Sequence, residues 1–205
     1  MTTLQRIEGI YNTMLSTTKQ TLEMSLADTH HSGIFSLVIG GETPGNLTRV
    51  FISDVKLKPF EVQLHTHRYP LWLTTIKGNI RHYEAEIVPK AMDGVRMSRF
   101  EYRSPLNGGA GLKAQPDCKV TITDYGLPPG SSIWLRPTDF HTMSCSKGSI
   151  WVVEEGGFSA DTSEVLGVPF ITEGLYNKPE MFQINDKFQI VKAEIRRIIE
   201  AFKSV

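Results

Sequence analysis

About nine short runs of β-branched and aromatic residues, separated by turn residues, constrain the fold of this chain most strongly. The runs fall at residues 33–41, 47–55, 61–67, 71–77, 79–88, 97–103, 118–125, 131–137 and 149–157. Glycine and proline interrupt them, as at Gly40-Gly41 and Pro44-Gly45. Short strands at this spacing, without helices between them, are typical of a sandwich or jelly roll. The sequence therefore predicts a mainly β fold.

Both ends of the chain carry a helical pattern. Apolar residues recur at three- and four-residue steps over residues 3–26, and again over 186–204, where Phe188, Val191 and Ile195 form the stripe. Each pattern predicts a helix packed on the body of the domain. A homodimer through these helices and a monomer whose helices cover the barrel fit the pattern equally well.

Two segments lack such patterning. Residues 104–117 are predicted to form a loop, either a lid near a pocket mouth or a plain surface insertion. Residues 158–185 are predicted to wrap the barrel irregularly. We expect a single domain over 1–205, with an N-terminal helix in 1–30, a β-barrel over 33–157, and a wrapping segment and C-terminal helix over 158–205.

Composition narrows the classes of partner. The chain has 22 Lys plus Arg and 22 Asp plus Glu, so its net charge argues against a general nucleic-acid binder. No apolar run approaches the roughly 18 residues of a membrane-spanning helix, and the first residues lack the apolar core of a signal peptide. Cys118 and Cys145 are expected to be free thiols. These features favour a cytoplasmic protein with a small-molecule substrate, no nucleic acid and no membrane partner.

The pair His65-Thr66-His67 is the strongest functional signal. It lies in a predicted strand, where alternate residues face the same side, so both imidazoles are expected to point to one place. His141, downstream beside a turn containing Pro137, is the candidate for a third ligand. Neutral imidazole is a good ligand for iron, zinc, nickel or copper, and three protein ligands leave coordination positions open.

The residues around this pair resemble the first motif of the cupin superfamily. That motif joins a His-x-His pair to a glutamate and a closing glycine, and His65, His67 and Gly78 match it. Leu71 stands at the glutamate position, and Pro59 replaces the leading glycine. A charged ligand is therefore missing from the motif in this chain.

A second stretch resembles the second cupin motif. Gly130 and His141 stand at the matching spacing. The motif's proline, glycine and asparagine positions are held by Arg136, Thr138 and Cys145. The resemblance covers roughly residues 45 to 157, and it implies a cupin-type jelly-roll β-barrel or sandwich with N-terminal and C-terminal helices.

Three histidines without the glutamate are similar, more distantly, to the thiol dioxygenases among the cupins. The resemblance implies one divalent metal held by His65, His67 and His141, with Fe(II) favoured and Zn, Ni or Mn as alternatives. A neutral ligand set leaves the ion its full charge, which favours an anionic substrate. Leu71 and Trp72 stand where cysteine dioxygenases carry a cysteine, so cysteine is not assigned as the substrate.

The preferred function is a non-haem Fe(II) oxygenase of the dioxygenase type acting on a small molecule. Three alternatives stay open: a metal-dependent isomerase or lyase, a non-catalytic cupin that binds a small ligand, and a barrel whose site is empty. The sequence identifies no catalytic side chain beyond the metal ligands. It also leaves the substrate open.

Further residues are candidates for contact with a substrate. They are Arg49, Tyr69, Trp72, Arg81 and Trp134. A guanidinium can hold a carboxylate or phosphate through two parallel hydrogen bonds, and aromatic rings can line a pocket. Which of these side chains face inward depends on strand register, because a slip of one residue reverses every side chain.

Other polar residues are weaker candidates. His30 and His31 are interpreted as a solvated linker pair, because adjacent residues in a strand face opposite ways. His82 is equally compatible with a place beside the metal ligands and with a cross-strand surface position. Glu84 and Glu155, each in a cluster of carboxylates, are interpreted as surface charge.

Overall fold

The computed structural model describes residues 2–104, 108–167, 180–181 and 185–204. Its helices are α1 (Thr3–Leu15), α2 (Lys19–Leu22) and α3 (Asn185–Lys203). Its strands are β1 (Leu26–Ala27), β2 (Ile34–Gly40), β3 (Thr48–Ser53), β4 (Leu64–His65), β5 (Leu71–Lys77), β6 (Ile80–Val88), β7 (Val95–Arg103), β8 (Gly111–Leu127), β9 (Ser132–Leu135), β10 (Phe140–Cys145), β11 (Ile150–Glu155), β12 (Ser163–Gly167) and β13 (Glu180–Met181). The predicted mainly β fold class is confirmed.

The strands form two antiparallel sheets. The first has seven strands in the order β13-β1-β2-β3-β11-β5-β9. The second closes on itself in the order β10-β4-β12-β7-β8-β6. Neighbours along the chain are often not neighbours in a sheet, as where β11 lies between β3 and β5. Such crossovers between two sheets are typical of a jelly roll.

The terminal helices cover one face of the seven-stranded sheet. Ile7 and Met14 of α1 and Val191 and Ile195 of α3 are almost fully buried in one cluster with Val152 of β11. Burying apolar area at roughly 25 cal/mol per Å² makes this layer a main source of stability. The helix predicted over 186–204 is confirmed as α3. No helix among the described residues is both long and apolar enough to cross a membrane.

The opposite face of this sheet packs on the second sheet. Phe51, Leu73 and Trp151 from the first sheet share a cluster with Ile80 and Met143 from the second. This apolar cluster fills part of the space between the sheets. The rest of that space is the cavity described below.

The prediction of one helix over residues 3–26 is wrong beyond Leu15. The α1 helix begins with a capping box, in which Thr2 and Gln5 exchange hydrogen bonds. It ends at Leu15 because Ser16 and Thr17 bond to backbone carbonyls, and the Thr17 hydroxyl reaches Ile39 O at 2.7 Å. A separate short helix, α2, then follows.

The prediction of a loop over 104–117 is wrong for the second half of that segment. Residues 111–117 form the first part of β8, which pairs with β7 and β6, and 105–107 lie outside the described residues. Within the predicted wrapping segment, residues 163–167 form β12, which pairs with β4 and β7. Residues 168–179 lie outside the described residues as well.

The strand predicted over 61–67 is also wrong in extent. Only Leu64 and His65 form β4. Beyond them, the amide of Thr66 donates to Glu164 O in β12 at 2.9 Å, and the amide of His67 donates to Pro137 O at 3.2 Å. Consecutive amides therefore bond to different segments of the chain, and the strand does not continue. Conversely, β10 was not predicted, although it carries His141.

We expect Gly41→Ala to lower the free energy of unfolding by about 3 kcal/mol. Gly41 has a φ of +84°, and an added Cβ would lie 1.9 Å from the backbone oxygen of Asn46. The variant Gly148→Ala is a matched control, because its φ is +81° but no atom of the described residues lies within 4 Å of the added Cβ. It is expected to lose about 1 kcal/mol. Chemical denaturation measures both, and equal losses would contradict the role of the close contact.

Candidate metal centre

Three histidines converge between the two sheets. His65 ends β4 and pairs in register with His141 on the adjacent strand β10, and directly opposed residues in a ladder share a face. His67 follows two residues later. The three ring centroids lie 4.9–5.0 Å apart. One nitrogen from each ring lies within 4.8 Å of the others. The structure thus brings together all three histidines predicted as metal ligands.

The spacing of these nitrogens suits a common ion. Nε2 of His67 and Nε2 of His141 are 2.7 Å apart. Two nitrogens bound at right angles, each about 2.1 Å from one ion, would lie about 3 Å apart. The observed separation is close to this value, so both nitrogens could bind one ion.

The orientation of His65 is fixed from behind. Its Nδ1 lies 2.8 Å from the carbonyl oxygen of Gln63. A carbonyl only accepts, so Nδ1 carries the proton and Nε2 keeps a bare lone pair. A backbone carbonyl in this position is a common way to orient a metal-binding histidine.

The electrostatics of the cluster favour neutral rings. Burial lowers the pKa of His65, and the bond to Gln63 partly opposes this effect. Burial, followed by repulsion from His65, lowers the pKa of His67 and of His141 well below the usual value. Neutral imidazole is the form that binds metal. Among the described residues no carboxylate or thiol joins the cluster, so the donor set fits a divalent transition metal.

His82 lies directly behind His141. It is fully buried on β6, and its Nε2 is 3.0 Å from Nδ1 of His141. Burial lowers the pKa of His82 to about 4, although the charge of Glu84 opposes this. Of the two positions that the sequence allowed for His82, the structure places it beside a candidate ligand.

His30 lies exposed in the turn between β1 and β2, as expected of a solvated linker residue, but its position beside the metal centre was not predicted. Its ring stacks on His65 with centroids 5.1 Å apart, and it lines the cavity. The backbone reaches this position through a left-handed φ of +65°, which costs about 1–3 kcal/mol for a residue other than glycine. His31 faces away, and its Nδ1 bonds to Ser32 O. The argument from the alternation of side chains in a strand does not apply here, because these residues lie in a turn.

A cavity of about 430 Å³ opens beside the histidines. Both sheets line it, with Arg49, Phe51 and Trp151 from the first and Val165 from the second. This volume is within the range of sites for small molecules. Its exposed wall is mainly apolar, but polar residues besides the histidines also line it, among them Arg49, Arg68 and Tyr69.

Glu155 lies behind two polar residues of the cavity wall, Arg49 and Tyr69. Its carboxylate accepts from Arg49 Nε at 2.8 Å, from the Tyr69 hydroxyl at 2.9 Å, and from the backbone amides of Gly45 and Leu47. Burial and the nearby carboxylate raise the pKa of Tyr69, so its hydroxyl stays protonated. The interpretation of Glu155 as surface charge is wrong, because its side chain is only 1% exposed.

The structure places only two of the five candidate substrate contacts, Arg49 and Tyr69, in the cavity wall. Trp72 and Trp134 pair with each other across β5 and β9 and are 42% and 49% exposed, on the side away from the cavity. Arg81 lies on the surface and pairs with Asp124. The prediction that these three side chains contact a substrate is not supported, because alternate residues of a strand face opposite sides and these lie on the outer side.

Comparison with protein-family models and with curated proteins found no match. Among solved structures, Streptomyces albus HEPD with 2-hydroxyethylphosphonate and Fe(II) bound is 12% identical, with a TM-score of 0.42, over 66% of this chain and 24% of that one. Hydroxypropylphosphonic acid epoxidase from S. wedmorenis is 13% identical, with a TM-score of 0.37, over 63% and 53%. A structure of the DMSP lyases RdDddP and RnDddQII is 12% identical, with a TM-score of 0.32, over 73% and 53%. This chain therefore spans between a quarter and about half of their lengths.

Two facing antiparallel sheets with three histidines converging between them are the arrangement that the cupin resemblance of the sequence predicts. The mainly β fold and the convergence of the three histidines agree with that resemblance. The cluster suits a divalent metal, and its donors do not distinguish among several such ions.

Proposed function

We propose that this protein is a non-haem Fe(II) oxygenase that acts on a small anionic molecule. The observation that carries the proposal is the convergence of three neutral imidazoles, without a carboxylate among the described residues, beside a cavity of about 430 Å³. His65, His67 and His141 would hold the ion. When bound, the iron supplies the redox chemistry that joins dioxygen to the substrate.

The charge of the site supports an anionic substrate. Three neutral ligands leave the +2 charge of the ion uncompensated. Two cations line the cavity, Arg49 and Arg68, and Arg49 forms a pair with the buried Glu155 that is neutral as a unit. An anionic group would therefore be attracted to the ion itself, and Arg49 is already committed to Glu155 and Ser36.

The apolar walls and Tyr69 would orient the rest of the substrate. The Tyr69 hydroxyl donates to Glu155, and its ring lies 5.9 Å from that of His67. This bond holds the ring in one position beside the site. A fixed, mainly apolar wall excludes water and limits the poses of a bound molecule.

Elemental analysis and oxygen uptake test the proposal together. We expect protein purified without oxygen to hold about one iron per chain, and to consume oxygen with some members of a panel of small thiols and carboxylic acids. His67→Ala is expected to lose the metal, because a pair of imidazoles binds a divalent ion far more weakly than three. The control His31→Ala removes a histidine outside the cluster and is expected to retain both properties.

The outcomes separate the alternatives. Metal binding without oxygen uptake on any substrate would contradict the oxygenase and leave an isomerase or lyase, in which the ion polarises a carbonyl. Absence of metal from the wild-type protein under every preparation would contradict the metal centre itself. Retention of metal by His67→Ala would contradict the ligand set.

A further inference from the structure

His82 lies behind the histidine cluster, and only one of its two ring nitrogens contacts that cluster. Its Nε2 faces His141, but its buried Nδ1 has no hydrogen-bond partner among the described residues. That Nδ1 lies 3.6 Å from Oε1 of Glu84, just beyond hydrogen-bonding distance. Buried polar atoms without partners are rare in proteins, and one aimed at a carboxylate points to a role.

Strand geometry explains why these groups meet. His82 and Glu84 are two residues apart on β6, so they share a face of the sheet. The adjacent strand β10 pairs Glu84 with His141 and His82 with Met143, which places His141 on the same face. Tyr125 on β8 pairs with His82, packs against its ring at a tilt of 51° and donates its hydroxyl to Glu84 at 2.6 Å. The carboxylate is therefore held in place.

The carboxylate fixes the direction of the hydrogen bonds. A bare lone pair on His82 Nδ1 would face an ionised oxygen, which is unfavourable, so the proton belongs on Nδ1. Nε2 of His82 is then an acceptor, and Nδ1 of His141 must donate to it. This leaves Nε2 of His141 bare, facing His67 at 2.7 Å. Only this arrangement presents the lone pair of His141 to an ion.

We propose that His82 is a positioning residue that, together with Glu84, holds His141 in the tautomer that can bind metal. The inference rests on the proposed metal centre and adds to it the part of the molecule that prepares one ligand. The carboxylate of Glu84 orients His82, and His82 orients His141. This chain of contacts runs from the cavity to the partly exposed side chains of Glu84 and Tyr125. Partners of this kind typically change metal affinity 10- to 100-fold when removed.

Three variants separate the steps of this path. His82→Leu keeps the buried volume but removes the acceptor. His82→Gln is the conservative rescue, because its amide oxygen can still accept from Nδ1 of His141. Glu84→Gln removes the charge that orients His82 and leaves the acceptor in place. His31→Leu is the control for the loss of a histidine elsewhere.

Co(II) is the probe, with affinity measured by titration and ring protons measured by NMR of the Co(II)-loaded protein. We expect two shifted, exchange-protected N–H signals, one from His65 bonded to Gln63 and one from His141 bonded to His82. His82→Leu should bind Co(II) 10- to 100-fold more weakly and lose one signal. The His65 signal should persist in every variant, as an internal reference that the site is folded.

The expected order of Co(II) affinity is wild type and His31→Leu, then His82→Gln, then Glu84→Gln, then His82→Leu. Unchanged affinity and both signals in His82→Leu would overturn the inference while leaving the metal centre intact. Failure of the wild-type protein to bind Co(II) would overturn the metal centre and the inference together. If His82→Leu does not fold, the test rests on His82→Gln and Glu84→Gln. Unchanged Co(II) affinity and an unchanged His141 N–H signal in both variants would exclude positioning by this path.

Discussion

The Glu155→Ala variant is expected to lose about 4 kcal/mol of its free energy of unfolding. Glu155 is almost fully buried, and it is the common acceptor for Arg49, Tyr69 and two backbone amides. Removing it leaves the Arg49 guanidinium, only 17% exposed, without its counter-charge. It also leaves the buried donors on Gly45 and Leu47 unpaired, and each such loss adds to the cost.

The neighbouring residue provides the matched control for this variant. Glu154 pairs with Arg6 at 2.6 Å; Arg6 is 16% exposed, much like Arg49, but the side chain of Glu154 is 39% exposed. Among the described residues Glu154 accepts from Arg6 alone, so we expect a smaller loss, close to the roughly 0–1 kcal/mol of a pair that water screens. Chemical denaturation of Glu155→Ala and Glu154→Ala therefore compares two adjacent carboxylates on opposite faces of β11. Equal losses would contradict the buried network.

A second substitution identifies the source of the loss. In the background of Glu155→Ala, replacing Arg49 by methionine removes the stranded charge while keeping similar volume. We expect the double variant to be more stable than Glu155→Ala alone, because an unpaired buried charge is more costly than an apolar side chain. A further loss in the double variant would show that Arg49 contributes by packing.

This pair of glutamates shows why part of the site escaped prediction. Sequence composition identifies Glu154 and Glu155 equally as charge at the end of a strand. Only register decides that Glu155 lies behind the cavity wall, against Arg49 and Tyr69, and that Glu154 lies on the other face of the strand. Register is set by pairing with β3 and β5, which are distant along the chain.

The strands were predictable where one face is buried. The alternating and continuous apolar runs of β2, β5 and β11 produced correct predictions, because burial imposes such patterns. The first part of β8 was missed because residues 112–118 are mostly exposed or half-buried, so nothing imposes an apolar pattern. The strand β10 was missed because its buried residues include His141 and Thr142, which are polar and give no apolar pattern.

The three candidate ligands were predictable because their spacing along the sequence matches the spacing of a metal-binding motif. His65 and His67 are close in sequence, and His141 stands at a family spacing. Their neighbours His30 and His82 were not separable from surface histidines. His30 reaches the cavity through a left-handed backbone conformation, and His82 through pairing between strands, and neither feature leaves a pattern in the sequence.

Loading with Co(II) at about 1,000 times its Kd is expected to raise the free energy of unfolding by about 4 kcal/mol. An ion that binds the folded chain and not the unfolded one shifts the equilibrium by mass action. For a chain of 205 residues, this corresponds to a rise in melting temperature on the order of 10 °C. A chelator should reverse it. His67→Ala is the informative variant, because His67 is less buried than His141 and its removal disturbs the core less.

Comparison with His31→Ala separates Co(II) binding at the three converging histidines from Co(II) binding to other histidines. The chain has six histidines, and those of the unfolded chain also bind Co(II) weakly, which reduces the observed shift. His67→Ala and His31→Ala each leave five, so binding to the unfolded chain is similar in both. The difference between their Co(II)-induced shifts therefore reports the three converging rings alone. A shift of equal size in the two variants would mean that the ion binds elsewhere, and the metal centre would have to be abandoned.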